Sequence, residues 1–348
     1  MTVRSPDSEA TAASAAVTAP LRAPPADQPR WASQGRWSVL TWITLVALAA
    51  ALPLIVPNSF YLALANLVLI NAAVAVSLTL LVGTTGQLSL GHAAFFASGA
   101  YVTAHLSSIR GWPVVASLPL AVLAATLLAW AVGRLFLRLS GYYLAVATLG
   151  IGLLLGIVLR NEPAFSGGPD GMSVPLFQVG ATALRGEKSW YWVLLAVLCI
   201  VVAGAVNLLR SPAGRALRAL HDAETAAITM GVDARSYRVR IFTLSGAVAG
   251  LMGALYAHYA GFVTPQAASF VHSVQFLMMA VIGGVGSIAG AVVGASIVTL
   301  LPNLLADAAE YETLAVGLLL LLSVVLMPRG IVPSLQRAWA ARRARSGA

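Results

Sequence analysis

The sequence predicts an all-α protein that crosses a lipid bilayer many times. Only 9% of its residues are charged and 59% are hydrophobic, whereas an average soluble domain has about 25% charged residues. Two long stretches, 37–109 and 241–306, contain no Asp, Glu, Lys or Arg. Because a spanning helix needs about 20 largely apolar residues, each stretch has room for several spans. These features exclude a soluble globular enzyme, a disordered chain and a disulfide scaffold.

Uncharged runs, separated by charged or turn-forming residues, mark the predicted spans. The turn Pro57-Asn58-Ser59, for example, separates the first span from the second. We expect about 10 transmembrane segments, some of them broken or re-entrant, within residues 38–56, 60–82, 91–109, 113–133, 139–159, 190–208, 241–262, 270–305 and 313–327.

The charges between the spans orient them by the positive-inside rule. Loop 209–240 carries six arginines against three acidic residues, so we expect it in the cytoplasm. Both termini then lie on that side, with residues 1–36 as a disordered tail and 331–348 as a basic tail. Residues 37–330 form the membrane domain. The net charge of +9 is therefore interpreted as a topology signal rather than as a nucleic-acid surface.

The region 270–305 must cross the membrane twice or not at all, because its neighbouring spans already supply the two crossings between cytoplasmic segments. Its length is marginal for two full spans at about 1.5 Å per residue. The Gly-rich run 283–287 divides it near its middle. A tight pair of short helices and a re-entrant excursion both satisfy this length and charge.

Two Gly-rich breaks in the apolar sequence are the first candidates for a functional site. One covers residues 83–92 and ends at His92, and the other covers 283–290. Irregular backbone at membrane depth is tolerated only where protein buries it or where it lines a wet cavity, and transporters bind substrates at such breaks. The alternatives are close helix packing by small residues and a His92 that only bonds a backbone carbonyl. No spacing of His, Cys, Asp or Glu resembles a metal site.

Residues 211–231 carry the signals of one amphipathic helix in the cytoplasmic loop. Ser211 is a good N-cap, Pro212 suits the first helical position and Gly231 suits the end. Glu224 projects from the apolar stripe, whereas a helix lying in the headgroups would keep a carboxylate off it. We therefore favour docking to a cytosolic partner. The stripe consists of Leu217, Leu220, Ala227 and Ile228.

Several motifs, in a fixed order, resemble one family of membrane proteins. The chain is similar to permeases of ATP-binding-cassette importers for branched-chain amino acids, and among these to the M-type (LivM-like) subunit. The resemblance covers roughly residues 60–330. Its motifs are GQLSLGHAAF at 86–95, GYYLAVATLG at 141–150, SGGPDG at 166–171, SPAGRALRAL at 211–220 and AVIGGVGSIAG at 280–290.

This resemblance implies a fold, a location and partners. The fold is that of an importer permease in the bacterial plasma (inner) membrane. The expected partners are a second permease subunit, which would make a heterodimer, two ATPase subunits, an extracytoplasmic substrate-binding protein and membrane lipid, but no nucleic acid. The chain itself is expected to bind no cofactor. It has no Gly-x-x-x-x-Gly-Lys-Ser/Thr phosphate loop, so ATP is used by the partner ATPase.

The resemblance also assigns site residues in three groups. The substrate pathway comprises Gln87, Ser89, His92, Tyr142, Tyr143 and Thr148. The residues expected to contact the ATPase are Arg215, Leu217, Leu220, Glu224 and Gly231. The residues expected to contact the binding protein are Gly167, Gly168 and Asp170. The alternative for these three residues is that they form a plain surface turn.

Other functions stay open at this point. A permease of the same family for urea or short-chain amides fits the membrane motifs equally well. An ion-coupled secondary transporter would usually carry carboxylates at membrane depth, and the predicted spans contain none. An intramembrane enzyme would need a nucleophile and base or a metal site, and His92 with scattered serines is too little.

Overall fold

The computed structural model describes residues 47, 49–54, 58–136, 139, 141–179, 182–304, 330–332 and 334. Between its α-helices lie a π-helical turn at His105–Ile109 and 3₁₀ turns at Gly168–Asp170 and Pro265–Ala268. The α-helices with both ends defined are α1 (Ser59–Thr85), α2 (His92–Ala104), α3 (Val114–Phe136), α4 (Tyr142–Asn161), α5 (Pro163–Ser166), α6 (Glu187–Arg210), α7 (Pro212–Asp222), α8 (Glu224–Thr229), α9 (Ala234–Ala260), α10 (Phe270–Gly283) and α11 (Ile288–Leu304).

The helices confirm an all-α membrane architecture. Among the described residues, α1, α3, α4, α6 and α9 are long and apolar enough to cross a bilayer. The region 270–305 contains two short apolar helices, α10 and α11; whether it crosses the membrane twice or is re-entrant stays a prediction. The predicted span 313–327, most of 38–56, the tail 1–36 and all but three residues of the tail 331–348 lie outside the described residues, so the expected count of about ten segments stays a prediction.

One helix extends about two turns beyond the predicted span. The helix that contains most of 241–262 begins at Ala234, so that Arg235, Arg238 and Arg240 belong to α9 and not to a loop. The cause is a cap at its N-terminus, where Asp233 Oδ1 accepts a hydrogen bond of 3.1 Å from the Ser236 N–H. The cap allows the helix to extend past the apolar run into charged sequence.

The single helix predicted over 211–231 is wrong, because the chain breaks at Ala223. Ser211 and Pro212 start α7 as expected, and the Ser211 hydroxyl caps the Gly214 N–H at 3.3 Å. Ala223 then leaves the helical region with φ −152° and ψ 79°, and α8 starts anew at Glu224. The break lets α8 fold back to the start of α9, where the Glu224 carboxylate pairs with Arg238 Nη2 at 2.8 Å.

A face of small residues on α9 fixes the centre of the fold. A Cβ added to Gly246 would lie 2.3 Å from Ala129 Cβ of α3, and one added to Gly250 would lie 2.2 Å from Ala125 Cβ. A Cβ on Gly253 would lie only 1.9 Å from the Phe96 carbonyl oxygen of α2. Helices in lipid gain no hydrophobic free energy by associating, so they associate through close van der Waals packing, which these glycines allow.

Short strands stabilise the connections at one end of the helices. β1 (Met172–Ser173) pairs antiparallel with β4 (Phe262–Val263), and β2 (Gln178–Val179) pairs antiparallel with β3 (Thr182–Ala183). The first pair joins the segment after α4 to the end of α9. If loop 209–240 is cytoplasmic, this end of the protein is extracytoplasmic.

We predict that Gly250→Ala destabilises the protein, because the added methyl group overlaps Ala125. Overpacking of this kind costs about 1–3 kcal/mol. Gly204→Ala is the matched control, since a Cβ at this glycine of α6 meets nothing within 4 Å. Thermal unfolding of both purified variants in detergent is the measurement. Equal unfolding temperatures for the two variants would contradict the close α3–α9 contact.

Candidate functional site

The two Gly-rich breaks predicted from the sequence meet in the structure. The first forms the irregular segment 86–91 between α1 and α2, and the second forms residues 284–287 between α10 and α11. A Cβ added to Gly83, in the last turn of α1, would lie 2.5 Å from Gly286 Cα in the second break. The backbones therefore touch, and sequence spacing alone gave no sign of this contact.

Thr148 of α4 closes one side of the first break. Its hydroxyl accepts a hydrogen bond of 3.1 Å from the Leu90 N–H, which has no helical partner there. Gly91 lies so close that an added Cβ would be 2.4 Å from the Thr148 carbonyl oxygen. The predicted pathway residue Thr148 thus lies at the break, with a buried side chain.

His92 connects the first break to two neighbouring helices through hydroxyl groups. Its Nδ1 lies 2.9 Å from Ser89 Oγ, and its Nε2 lies 2.8 Å from Ser245 Oγ of α9. Ser245 Oγ donates to Ser77 Oγ of α1 at 3.3 Å, and Ser77 Oγ donates to the Val74 carbonyl at 2.8 Å. These side chains are buried, so both ring nitrogens are satisfied inside the protein.

This geometry answers the alternative posed for His92. The imidazole bonds no backbone carbonyl but two serine hydroxyls, and the edges of Phe95 and Phe242 pack around it. His92 and Ser89 therefore hold the break in shape. Ser245 belongs to this network and was missed by sequence reasoning; the available signal was its hydroxyl within an otherwise apolar, Gly- and Ala-rich span.

Gln87 is the residue of the break with an unused hydrogen-bonding atom. Its side chain is buried, yet its Oε1 has no hydrogen-bond partner among the described residues. A buried acceptor without a partner costs free energy. Among the predicted pathway residues, Gln87 thus has a buried acceptor without a partner in the described structure.

Tyr142 and Tyr143 do not join this group. They begin α4, their side chains are 76% and 71% exposed, and their rings contact each other edge to face. The structure thus separates the predicted pathway set into a buried cluster around the break and an exposed tyrosine pair about one and a half turns before Thr148.

The segment 211–231 presents different apolar residues from those predicted. Leu217, Leu220 and Ala227 are buried within the chain itself. Ile228 and Met230 are the exposed ones, at 50% and 84%. The stripe is therefore unavailable to a partner as a whole, because the break at Ala223 turns most of it inward.

The remaining residues of this segment have varied positions. Arg215 is exposed and its Nη1 donates to the Arg210 carbonyl at 3.4 Å. Gly231 follows the end of α8 with φ 86°, which suits glycine. His221, in the last turn of α7, lies beside the first break, since a Cβ on Gly86 would lie 3.6 Å from its Nδ1. The segment 211–231 thus comes close to the first break.

The loop predicted to contact a binding protein is a tight turn built on glycines. Gly167 has φ 76°, and an added Cβ would lie 2.1 Å from the Gly171 carbonyl oxygen. Gly168 is buried with φ 75°, and Asp170 is exposed. The glycines are thus required by the turn itself, and Asp170 remains the accessible group.

A half-buried polar cluster at the same end was not foreseen. Glu187, assigned to a loop from the sequence, is the first residue of α6. Its Oε2 accepts hydrogen bonds from Asn66 Nδ2 at 2.8 Å and from the Tyr259 hydroxyl at 2.7 Å. The cluster joins α1, α6 and α9, and the carboxylate suits the positive end of the α6 dipole. Within the described residues, no group of three His, Cys, Asp or Glu is arranged to hold a metal ion.

Residues 60–327 match the family described as branched-chain amino acid transport system / permease component. The chain belongs to this family. It is 33% identical over 315 residues to the high-affinity branched-chain amino acid transport system permease protein LivM of Escherichia coli K12, covering 84% of this chain and 74% of that protein. The permease is also 23% identical over 283 residues to LivH of the same strain, a permease protein of the same transport system, covering 75% of this chain and 90% of LivH.

A more distant relative has a different named cargo. The permease is 30% identical over 168 residues to the autoinducer 2 import system permease protein LsrC of Escherichia coli K12 / DH10B, covering 46% of this chain and 47% of LsrC. No solved structure matches the chain. The relatives named here are transport permeases, which confirms the expectation of a transport subunit rather than an enzyme.

We predict that Thr148→Val destabilises the permease, because the Leu90 N–H at the break loses its acceptor. An unsatisfied buried donor costs about 1–3 kcal/mol. Thr126→Val is the matched control, since the Thr126 hydroxyl bonds only the Val122 carbonyl of its own helix at 2.6 Å. Thermal unfolding in detergent compares the two variants. A control as unstable as Thr148→Val would contradict the role of Thr148 in closing the break.

Proposed function

We propose that this permease is one of two membrane subunits of an ATP-driven importer that brings leucine, isoleucine and valine into the cytoplasm. The observation that carries the proposal is the match of residues 60–327 to the branched-chain amino acid permease family, with 33% identity to LivM. In this proposal two separate ATPase subunits hydrolyse ATP, an extracytoplasmic protein delivers the amino acid, and a LivH-like second permease completes a heterodimer. Both termini lie in the cytoplasm.

The contact between the two breaks supports a pathway at membrane depth. Half-helix ends and unpaired backbone groups are the parts from which transporters build polar sites in a bilayer. Here the ends of α1 and α10 meet at Gly83 and Gly286, and Gln87 has a free acceptor beside them. An α-ammonium group is the part of an amino acid that such an acceptor suits. The apolar helices around the break suit a branched aliphatic side chain.

The exposed tyrosine pair has a separate role in this proposal. Tyr142 and Tyr143 lie on a helix that is poorly covered by its own chain. A second permease subunit packed against α4 would cover them and would place the pathway between the two subunits. The tyrosines then line the pathway from its rim, while Gln87, Ser89, His92 and Thr148 form or support its wall.

The proximity of His221 to Gly86 supports a way in which ATPase movement could reach the break. An ATPase subunit that moves α7 and α8 would displace His221, which lies beside Gly86, the first residue of the irregular segment. Ile228 and Met230 form the exposed apolar contact for the ATPase. Glu224 then acts within this chain, where its pair with Arg238 fixes α8 on α9.

We predict that Met230→Asp reduces the stimulation of ATPase activity by the permease several-fold, because it places a charge in the apolar contact. Leu176→Asp, at an exposed leucine on the opposite side of the protein, is the matched control. ATP hydrolysis by the purified complex with and without binding protein is measured for each variant. Stimulation by Met230→Asp at the level of the wild type would contradict docking through α8.

We predict that proteoliposomes with the complete complex take up leucine, isoleucine and valine, but not urea, only with ATP inside and binding protein outside. A sodium or proton gradient without ATP drives no uptake, which separates this importer from an ion-coupled transporter. Uptake of urea in place of the amino acids would support the related amide permeases. Binding assays on the extracytoplasmic protein with the same compounds provide an independent measure of the substrate.

A further inference from the structure

A basic groove lies between the last turns of α3 and the first turns of α9. Its volume is about 500 Å³. The groove is at the end of α9 opposite the paired strands β1 and β4, and so at the cytoplasmic end if loop 209–240 is cytoplasmic. It is lined by Thr126, Trp130, Arg134, Arg235, Ser236, Val239, Arg240, Thr243, Leu244 and Ala247.

The charge of the groove is unbalanced. Arg134, Arg235 and Arg240 line it, and within the described residues none of the three forms a salt bridge, whereas Arg238 outside the groove pairs with Glu224. Arg235 Nη2 donates to the Arg134 backbone carbonyl at 3.2 Å, which places the Arg235 guanidinium at the end of α3. Three positive charges without paired acids form a site for an anion.

Asp233 is an acidic residue next to the groove, and its carboxylate is hydrogen-bonded to Ser236. Its carboxylate accepts hydrogen bonds from the Ser236 hydroxyl at 2.6 Å and from the Ser236 N–H at 3.1 Å. These bonds, the hydroxyl first, together with the positive charge of Arg240, hold the pKa of the Asp233 carboxyl below its usual range. Asp233 thus offsets one positive charge at most, and the groove keeps a net positive charge.

The other part of the groove is apolar and follows α9 toward the bilayer centre. Val239, Leu244 and Ala247 line it, and Leu244 is an exposed leucine. From Arg235 to Ala247 the helix rises about 18 Å, which is similar to one leaflet of a hydrocarbon core about 30 Å thick. Charge at one end and an apolar wall beyond it match a molecule with a charged head and a hydrocarbon tail.

Two further side chains support an occupant of this shape. Trp130 lies across the groove with the Arg134 guanidinium 5.8 Å from its ring centre, in the position at the membrane interface where tryptophan is enriched. Thr243 also lines the groove, and its Oγ1 is buried without a hydrogen-bond partner among the described residues. The hydroxyl would donate to an ester oxygen of a lipid just below the headgroup.

We propose that this groove binds an anionic glycerophospholipid, with the phosphate between Arg134, Arg235 and Arg240 and an acyl chain along Leu244 and Ala247. Basic pockets between transmembrane helices are known to hold anionic headgroups. A soluble phosphate would contact only the arginines at the charged end, and it would not contact the apolar wall or the Thr243 hydroxyl. The occupant is thus a lipid of the leaflet at this end of α9.

The test measures lipid binding to the full-length permease in detergent by native mass spectrometry. Phosphatidylglycerol, phosphatidylcholine and soluble glycerol phosphate are the three probes. We expect phosphatidylglycerol to bind in preference to the other two. Since a basic residue near a membrane surface contributes about 1 kcal/mol, each Arg→Gln change at 134, 235 or 240 is expected to weaken binding about five-fold. Leu244→Ser is expected to weaken binding of the lipid only.

Matched controls separate the groove from general electrostatic attraction. Arg210→Gln removes an exposed arginine at the end of α6, outside the groove, and Leu153→Ser changes an exposed leucine of α4. Both are expected to bind phosphatidylglycerol like the wild type. An effect of Arg210→Gln equal to that of Arg235→Gln, or equal binding of phosphatidylcholine, would overturn the proposal. Tight binding of glycerol phosphate with no effect of Leu244→Ser would identify a plain phosphate site and would overturn it too.

Discussion

The structure depends on one requirement, that backbone polar groups at membrane depth must find partners within the protein. In the segment 86–91 the Gly86 N–H still bonds the Val82 carbonyl and the Gly91 carbonyl accepts from the Ala94 N–H, but the Leu90 N–H between them bonds a side chain instead. Thr148 accepts from the Leu90 N–H, and the hydroxyls around His92 connect the break to α1 and α9. The helices around the break are therefore held in place by the break, and not only by contact between apolar surfaces.

Close packing of small residues follows from the same requirement. Polar bonds of about 3 Å between different helices form only if the helix axes approach closely, and Gly246, Gly250 and Gly253 provide this approach on α9. Ser245 lies next to this glycine face. The close approach of α2 to α9 therefore brings His92 Nε2 within 2.8 Å of the Ser245 hydroxyl. Packing and polar bonding thus depend on each other.

The sequence predicted well what the bilayer dictates and less well what depends on contacts between helices. Span 60–82 agrees with α1 within a few residues, because apolar length is set by the membrane. The division of 270–305 followed from charge and from Gly283–Gly286. The break at Ala223 was missed, because it depends on the Glu224–Arg238 pair across two helices. Glu187 was misassigned because its hydrogen-bond partners, Asn66 and Tyr259, are distant in sequence. These partners make its partial burial possible.

The position of the first break explains how a rigid core and a moving transporter are compatible. Thr148 of α4, Ser245 of α9 and Gly286 of the second break restrain the segment from within the membrane. His221 of α7 lies beside Gly86, where an added Cβ would be 3.6 Å from its Nδ1, and no hydrogen bond joins the two residues in the part of the chain that the structure describes. The break is thus fixed most firmly where the bilayer requires satisfied backbone groups, and least firmly where a cytoplasmic partner would act on it.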